Sequence, residues 1–325
     1  MKVGIVGAGL AGLAAARTLA DSGMQAIVWE KRPNPGGRVE TIQEAGFVFD
    51  SGATSIAPRG LEIEHVMLRE LDQGDLVRVE SPIYTHQGLR VMPGDVAKNR
   101  TPRYTYRSGN ALLPEMLAST LDIRYGSPVE TIARSGQDFI VNDEAVGALI
   151  LTPPIPISSM ILLSLRESRP TANASFRSCL SVLLGFEIEL PETNYHALLD
   201  VEQRHPLTWL SLESVKSPGR APEGCSALCA QLSPSYSLIH FPHQDELIIE
   251  DTLRYIQRLY GLEFSQPKVA KVRRWKYSLP DSVASFDTVN KPGMRVLLAG
   301  DGLLAGRSEA AYESGVRAAR LLLNR

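Results

Sequence analysis

Cysteine is nearly missing from this chain. Three residues in 325, Cys179, Cys225 and Cys229, form an odd and sparse set. Such a set excludes a disulfide framework and points to a reducing compartment, the cytoplasm. Aromatic residues make up only 6%, which leaves little material for an aromatic cage. An excess of one charge is lacking too. Lys and Arg total 34 against 36 Asp and Glu, a formal net charge of −2, so no bulk positive field exists to hold nucleic acid or an anionic membrane. Long apolar runs are absent. The uncharged run from Val3 to Ala16 falls short of the about 20 residues that span a bilayer. Its Ala14-Ala15-Ala16 resembles a signal-peptidase site, yet the glycines at 4, 7, 9 and 12 have a better physical explanation. A soluble, unprocessed protein is expected.

What is present is ordinary for a globular protein: 44% apolar and 22% charged residues. At about 150 residues per domain the length suggests two domains. Val3, Ile5 and Val6 begin a buried strand, Leu10 to Ser22 reads as a helix stopped by Gly23, and Ala26 to Trp29 reads as a second buried strand. Short strand signals mark Phe47-Val48-Phe49, and Leu61 to Leu71 reads as helical. Val77 to Arg107 is polar with weak strand signals. A helix is expected over about Pro114 to Leu121, with proline in its first turn. A meander of three strands follows near 128–134, 138–141 and 146–151. Longer strands are expected at 180–190, 207–214 and 225–232. In the first, Phe186, Ile188 and Leu190 alternate with Glu187 and Glu189, the pattern of a half-buried antiparallel strand. Glu250 to Tyr260 reads as an amphipathic helix, Arg295 to Ala299 as a final buried strand and Glu309 to Leu323 as a final helix.

Chemistry first shows in GAGLAG at 7–12. The pattern G-x-G-x-x-G is weak alone, but here it follows a strand, opens a helix and precedes a second strand ending in Glu30. Gly7 allows a tight turn, Gly9 lets the backbone approach a pyrophosphate, and Gly12 lets the helix lie close to the sheet. The helix start at Leu10 and Ala11 presents free N–H groups to phosphate. Glu30, with Lys31 beside it, can accept hydrogen bonds from ribose hydroxyls. Pro35-Gly36-Gly37-Arg38 follows directly, and an arginine beside two glycines suits a loop hugging a diphosphate.

GAGLAG, Glu30 and the Gly36-Gly37-Arg38 run resemble the flavin amine oxidase branch of the glutathione-reductase-like FAD proteins. The resemblance implies that Gly36, Gly37 and Arg38 pack against the pyrophosphate of non-covalent FAD. It also implies that Gly300-Asp301 serves the ribityl or phosphate region. The helix starting at Glu309, Ala310 and Ala311 would point its amides at the flavin, where a helix N-terminus stabilises the negative charge of the reduced ring. Val129 is similar to the residue whose backbone meets adenine, and Asp50-Ser51-Gly52-Ala53 to the stretch that passes the isoalloxazine. The matches span positions 3 to 320. Two further stretches resemble a smaller group, the renalase-like FAD oxidoreductases: Leu207 to Leu210 with Lys216-Ser217-Pro218-Gly219-Arg220, and Arg273-Arg274-Trp275-Lys276-Tyr277. Ser217 interrupts the first motif, while Arg273 and Lys276 depart from the second. The group implies oxidation of a dihydronicotinamide-type donor, an isomer of NAD(P)H, with O2 as acceptor giving H2O2. An extra cation at Arg273 would favour a phosphate- or carboxylate-bearing donor.

The reading is therefore an α/β protein with two units. Residues 1–79, 105–160 and 268–325 form a Rossmann-like FAD domain, and 80–104 with 161–267 form an α+β substrate domain on an antiparallel sheet. Flavin N5 can accept a hydride directly, so no catalytic side chain is required. A flat donor would be held by ring faces, with Trp275 and Tyr277 as pocket candidates and Trp209, Tyr104 and Tyr106 behind them. A Trp in a strand is more often core, and Trp209 reads that way first. An amine oxidase and a non-catalytic flavin-binding module remain as alternatives. No metal is expected: Pro242 interrupts His240, His243 and Asp245. Cys225 and Cys229 read as apolar packing, and no cysteine neighbours the flavin motifs. The basic run 268–276 reads as a strand with one solvated face.

Overall fold

A computed structural model describes residues 1–324. Val3–Val6 is buried at every position and lies between two other strands. Together they build a parallel sheet of five, ordered Val296–Leu298, Ala148–Leu151, Val3–Val6, Ala26–Trp29, Ile123–Arg124. The inner strands are continuous apolar runs because both faces are covered. Strand order reverses at Val3–Val6, and the crevice at the carboxyl end of such a strand is where α/β sheets bind ligands. The glycine-rich loop emerges there. Helix Leu10–Asp21 packs on helix Ser308–Leu323 so closely that a Cβ on Gly315 would stand 2.0 Å from the Ala11 carbonyl oxygen.

The expected third meander strand, 146–151, is two strands in two sheets. Glu144–Val146 completes a small antiparallel sheet with Ala133–Ser135 and Asp138–Val141, and Ala148–Leu151 enters the parallel sheet. The reason is burial. Ala148 to Leu151 has no polar alternation and fits only where both faces are covered.

The second large sheet has seven strands, ordered Val269–Ser282, Ser175–Phe186, Ser226–Leu232, Leu207–Leu212, Ala197–Leu199, Ile83–Gln87, Arg90–Pro93. Every pairing is antiparallel except Ala197–Leu199 with Ile83–Gln87. One face packs on helix Asp245–Tyr260 through Leu180, Val182, Leu184 and Leu228 against Ile248 and Ile256. The opposite face meets Phe47 and Phe49 through Leu183, Ala227 and Cys229. Two strand expectations change here. The strand expected over 180–190 ends at Phe186, and Cys179 to Phe186 is buried throughout because both faces are covered. The Glu187/Glu189 alternation lies beyond it. Val269–Ser282, assigned from sequence to the FAD domain, is an edge strand of this sheet, drawn in by pairing with Ser175–Phe186. Its alternation of basic and apolar residues is that of a sheet edge with charged side chains.

Helix Asp245–Tyr260 begins at Asp245 rather than Glu250, with Asp245 and Glu246 suiting the positive end of its dipole. The segment Leu61–Leu71 divides into an α-helical turn, Leu61–His65, and a π turn, Val66–Glu70. Among the described residues no helix is long and apolar enough to cross a membrane.

Candidate functional site

Two glycine loops lie side by side at the crevice. Gly7 has φ +96°, and a Cβ on Gly12 would stand 1.9 Å from the Gly7 carbonyl oxygen. Only glycine fits these two positions. Gly9 faces open space, with nothing within 4 Å of a Cβ built on it. Helix Leu10–Asp21 starts there with no side-chain cap, so its first N–H groups have no side-chain oxygen on them. Leu10 and Ala11 are buried and offer this gap their backbone alone. The second loop is docked by the Gly36 N–H, which donates to the Ala8 carbonyl at 2.8 Å. Gly36 and Gly37 both have positive φ, and a Cβ on Gly37 would reach Gly9 Cα at 3.4 Å. An uncapped helix start, a space a Cβ would fill and a second glycine loop fit a diphosphate.

Glu30, 4% exposed, ends the strand Ala26–Trp29 and turns its carboxylate to the same loop. One oxygen accepts the Ala8 N–H at 2.8 Å and the other the Arg32 N–H at 2.9 Å. Lys31 is exposed, and Val129 packs half-buried on the main core.

Arg38 departs from the expectation. Its guanidinium forms a bidentate pair with Asp301, at 2.8 and 2.5 Å, and also donates to the Ser278 carbonyl at 2.8 Å. The two motifs meet, but the charge of Arg38 is already matched by Asp301. Gly300 has φ +137°, and its N–H donates to Ser314 Oγ at 2.7 Å, tying the Asp301 turn to the last helix. That helix, Ser308–Leu323, also starts without a side-chain cap. Glu309 and Ala310 are buried in its first turn with Ala311 half-buried, and Glu309 accepts from Arg307 Nε at 2.7 Å.

The seven-stranded sheet turns a row of paired residues toward residues 40 and 51–52. From edge to edge it runs Met92, Thr85, Leu199, Trp209, Gln231, Ser181, Arg273. Gln231 Nε2 donates to the Gly52 carbonyl at 2.7 Å. Arg273, the anticipated extra cation, is held bidentate by Glu40 at 2.6 and 2.9 Å. Glu40 also accepts from Arg32 at 3.0 Å, so one carboxylate is shared by two guanidiniums. Trp275 is buried, donates its indole N–H to the Ser51 carbonyl at 2.9 Å, and lies under Arg273 (4.6 Å) and Arg32 (5.4 Å). Tyr277 meets Phe176 edge-on at 6.1 Å. Trp209 is half-buried on this face, outside the three apolar core clusters, and its indole N–H is buried with no partner among the described residues. Tyr106 is buried with its hydroxyl pushed up by desolvation, and Tyr104 packs half-buried on the main core.

A buried charge cluster lies behind Ser51–Thr54. Asp50, Glu213, Lys216 and Arg220 have fully buried side chains. Lys216 Nζ reaches Asp50 at 2.9 Å and Glu213 at 2.7 Å, and Arg220 reaches both carboxylates at 2.9 Å. Burial alone would push the Asp50 carboxyl up. Lys216, Arg220 and the Asn110 N–H overcome that and hold it below the usual carboxylate range. In the sequence Lys216 and Arg220 stand only as the two ends of a short motif. Asp50 closing an apolar strand was the available signal for a charged partner.

Pro242 does not keep the two imidazoles apart. His240 and His243 meet Nδ1 to Nδ1 at 2.8 Å, but Asp245 is paired with Arg274. Among the described residues no group of three or more His, Cys, Asp or Glu could hold a metal. Cys179 is the register partner of Trp275, nearer the site than expected, and burial pushes its thiol up to about 11. A thiol so protonated is a poor nucleophile. Cys229 is buried against Phe47 and Phe49, and Cys225 packs half-buried on the same cluster.

A family model described as NAD(P)-binding Rossmann-like domain matches residues 5–71, and one described as flavin containing amine oxidoreductase matches residues 85–323. A 4,4'-diapophytoene desaturase from Staphylococcus aureus (strain bovine RF122 / ET3-1) is 43% identical over 56 residues, 17% of this chain. That segment is 11% of the desaturase's own length. Three solved structures share the fold. An Exiguobacterium sp. 255-15 protein assigned as a protoporphyrinogen oxidase has TM-score 0.76 at 16% identity, covering 100% of this chain and 99% of that one. A putrescine oxidase triple mutant gives 0.74 at 15%, covering 100% and 99%. Reduced UDP-galactopyranose mutase gives 0.74 at 14%, covering 99% and 95%. FAD is the cofactor.

Proposed function

We propose that this chain, which belongs to the flavin containing amine oxidoreductase family, oxidises a small flat hydride donor of dihydronicotinamide type. The donor gives up a C–H bond with its electron pair and becomes an aromatic pyridinium. With one proton from water and O2 as final two-electron acceptor, the products are that cation and H2O2. Bound FAD supplies the ring that takes the hydride at N5. The chain's own part is to bind, orient and exclude water. In this reading the two glycine loops and the uncapped helix start hold the diphosphate and Glu30 takes the ribose hydroxyls. The flavin is held without a covalent bond. The substrate unit is the seven-stranded sheet with its helices.

One observation carries the reading. From Met92 to Ser181 the row facing residues 51–52 is uncharged, Lys216 and Arg220 are matched by Asp50 and Glu213, and the one carboxylate near Arg273, Glu40, is held by Arg273 and Arg32 together. No free group there would remove a proton from an ammonium, which a dihydropyridine donor does not require. Anaerobic stopped-flow mixing, followed by loss of flavin absorbance near ~450 nm, a property of the chromophore, tests it. Dihydronicotinamide isomers should reduce the flavin faster than any simple amine, with a rate flat between about pH 6 and 9. Reduction by amines, at a rate climbing as the amine deprotonates, makes the chain an amine oxidase. Reduction by none of them makes it a binding module.

A further inference from the structure

Four consecutive carbonyls, those of Ser51 to Thr54, are each held by a side-chain donor from a different part of the chain. Trp275 Nε1 donates to Ser51 at 2.9 Å and Gln231 Nε2 to Gly52 at 2.7 Å. Asn110 Nδ2 donates to Ala53 at 2.8 Å and Lys216 Nζ to Thr54 at 2.7 Å. Two donors stand on the large sheet, one precedes helix Leu112–Ala118, and one sits in the turn Glu213–Lys216. The other side of the stretch is closed as well. Ala53 N–H donates to the Arg38 carbonyl at 3.1 Å, and a Cβ on Gly52 would strike that same oxygen at 2.0 Å. Burial demands a partner at Ser51 and Thr54, but not at Gly52 and Ala53, which are only half-buried and whose oxygens water could serve.

We infer that Gln231 and Trp275, with Asn110 and Lys216, are positioning residues that hold the oxygens of Ser51–Thr54, offset their partial negative charge and so make bound FAD easier to reduce. The inference rests on the reading that Asp50 to Ala53 passes the ring. Each carbonyl oxygen carries partial negative charge, and reduction adds negative charge to the ring. In a dry site a bare oxygen beside the ring opposes that change, whereas one already held by an N–H or ammonium donor has its negative charge offset and opposes it less. Gln231 is the most informative member. It is neutral, lies outside the buried charge cluster, and stands in the row beside Trp209 and Ser181.

The test is a dye-equilibrated reductive titration of the FAD-loaded protein with no substrate present. Gln231→Leu should keep its full complement of FAD and shift the reduced-to-oxidised ratio about tenfold toward oxidised, a midpoint lower by about 30 mV for a two-electron couple. Trp275→Phe, which keeps a ring but lacks the N–H, should move the potential the same way. Gln231→His, which restores a neutral donor, should return it toward the parent value. Unmoved potentials in both Gln231→Leu and Trp275→Phe overturn the inference. So does lost stability or FAD affinity with the potential unchanged, which would mark the bonds as structural only. No donor molecule enters the titration, so the outcome is independent of whether a dihydropyridine or an amine is the substrate.

Discussion

Arg38 and Asp301 stand 263 residues apart and meet in a bidentate ion pair, Nη1 to Oδ2 at 2.8 Å and Nη2 to Oδ1 at 2.5 Å. One follows the second glycine loop and the other opens the turn after the last parallel strand. The pair fastens the two ends of the chain together at the crevice. It also places a matched charge where each motif alone suggested a free one.

A double-mutant cycle should detect that coupling in the flavin-free protein. Arg38→Met and Asp301→Asn each leave a charge without its partner, and Asp301 is only 7% exposed in its side chain. Urea unfolding should show the two losses to be non-additive by roughly 1–3 kcal/mol. Additive losses would mean that the contact contributes nothing to stability.

The buried cluster behind Ser51–Thr54 predicts a larger effect. Lys216→Met removes one of two cations and leaves Asp50 and Glu213 sharing Arg220 alone. Breaking a fully buried ionic group in this way costs about 3–5 kcal/mol. The unfolding midpoint in urea should fall accordingly, with the m-value unchanged. A cost within about 0.5 kcal/mol, typical of a surface substitution, would contradict the observed burial.

Glu30 has two duties that separate by measurement. Its carboxylate accepts the Ala8 and Arg32 N–H groups. Glu30→Ala should weaken FAD binding by about 1–3 kcal/mol, because ribose hydroxyls and backbone donors both lose an acceptor. Titration of apoprotein with FAD, beside a melting curve without it, gives the two parts. An unchanged FAD affinity with a lowered melting temperature would leave Glu30 as a loop anchor only.

The glycine loop was legible because its requirements are local. Gly7, Gly12 and Glu30 sit at spacings fixed by one strand, one turn and one helix. Gln231 carries no such signal, since a lone glutamine in a strand gains its meaning only when Gly52 is brought against it. The cluster of Asp50 with Glu213, Lys216 and Arg220 is likewise assembled from distant segments. The alternation from Phe186 to Leu190 misled for a related reason. Period-two patterning marks a strand with one wet face, and Ser175–Phe186 has no wet face over its buried half. The split at Gly147 was hidden because two adjacent strands in different sheets read as one apolar run.

His196 yields a pH dependence that separates from the carboxylates. It precedes Ala197–Leu199 and is 2% exposed. Its backbone donates to the Pro82 carbonyl at 3.0 Å, and its Nδ1 bonds the Ser81 carbonyl at 2.5 Å. Nε2 is buried with no partner among the described residues. Burial pulls this imidazole down to about 4, against the Ser81 bond that favours the charged form. The unfolded chain, with an ordinary histidine near 6.5, therefore binds more protons than the folded one between those two values. Stability must rise with pH across that window and level off above it, by roughly 3 kcal/mol in all if His196 titrates alone. Asp50, whose carboxyl is depressed, contributes stability that is present above about pH 4 and lost only at lower pH. His205 is lowered by burial as well, so the comparison must be a difference between variants. His196→Asn keeps a neutral donor near Ser81 and cannot ionise. Urea midpoints measured from about pH 4.5 to 7.5, a window that covers most of the interval between the two values and stays above the range in which Asp50 titrates, should fall with acid more steeply in the parent than in this variant. Equal slopes would show that His196 does not titrate with unfolding.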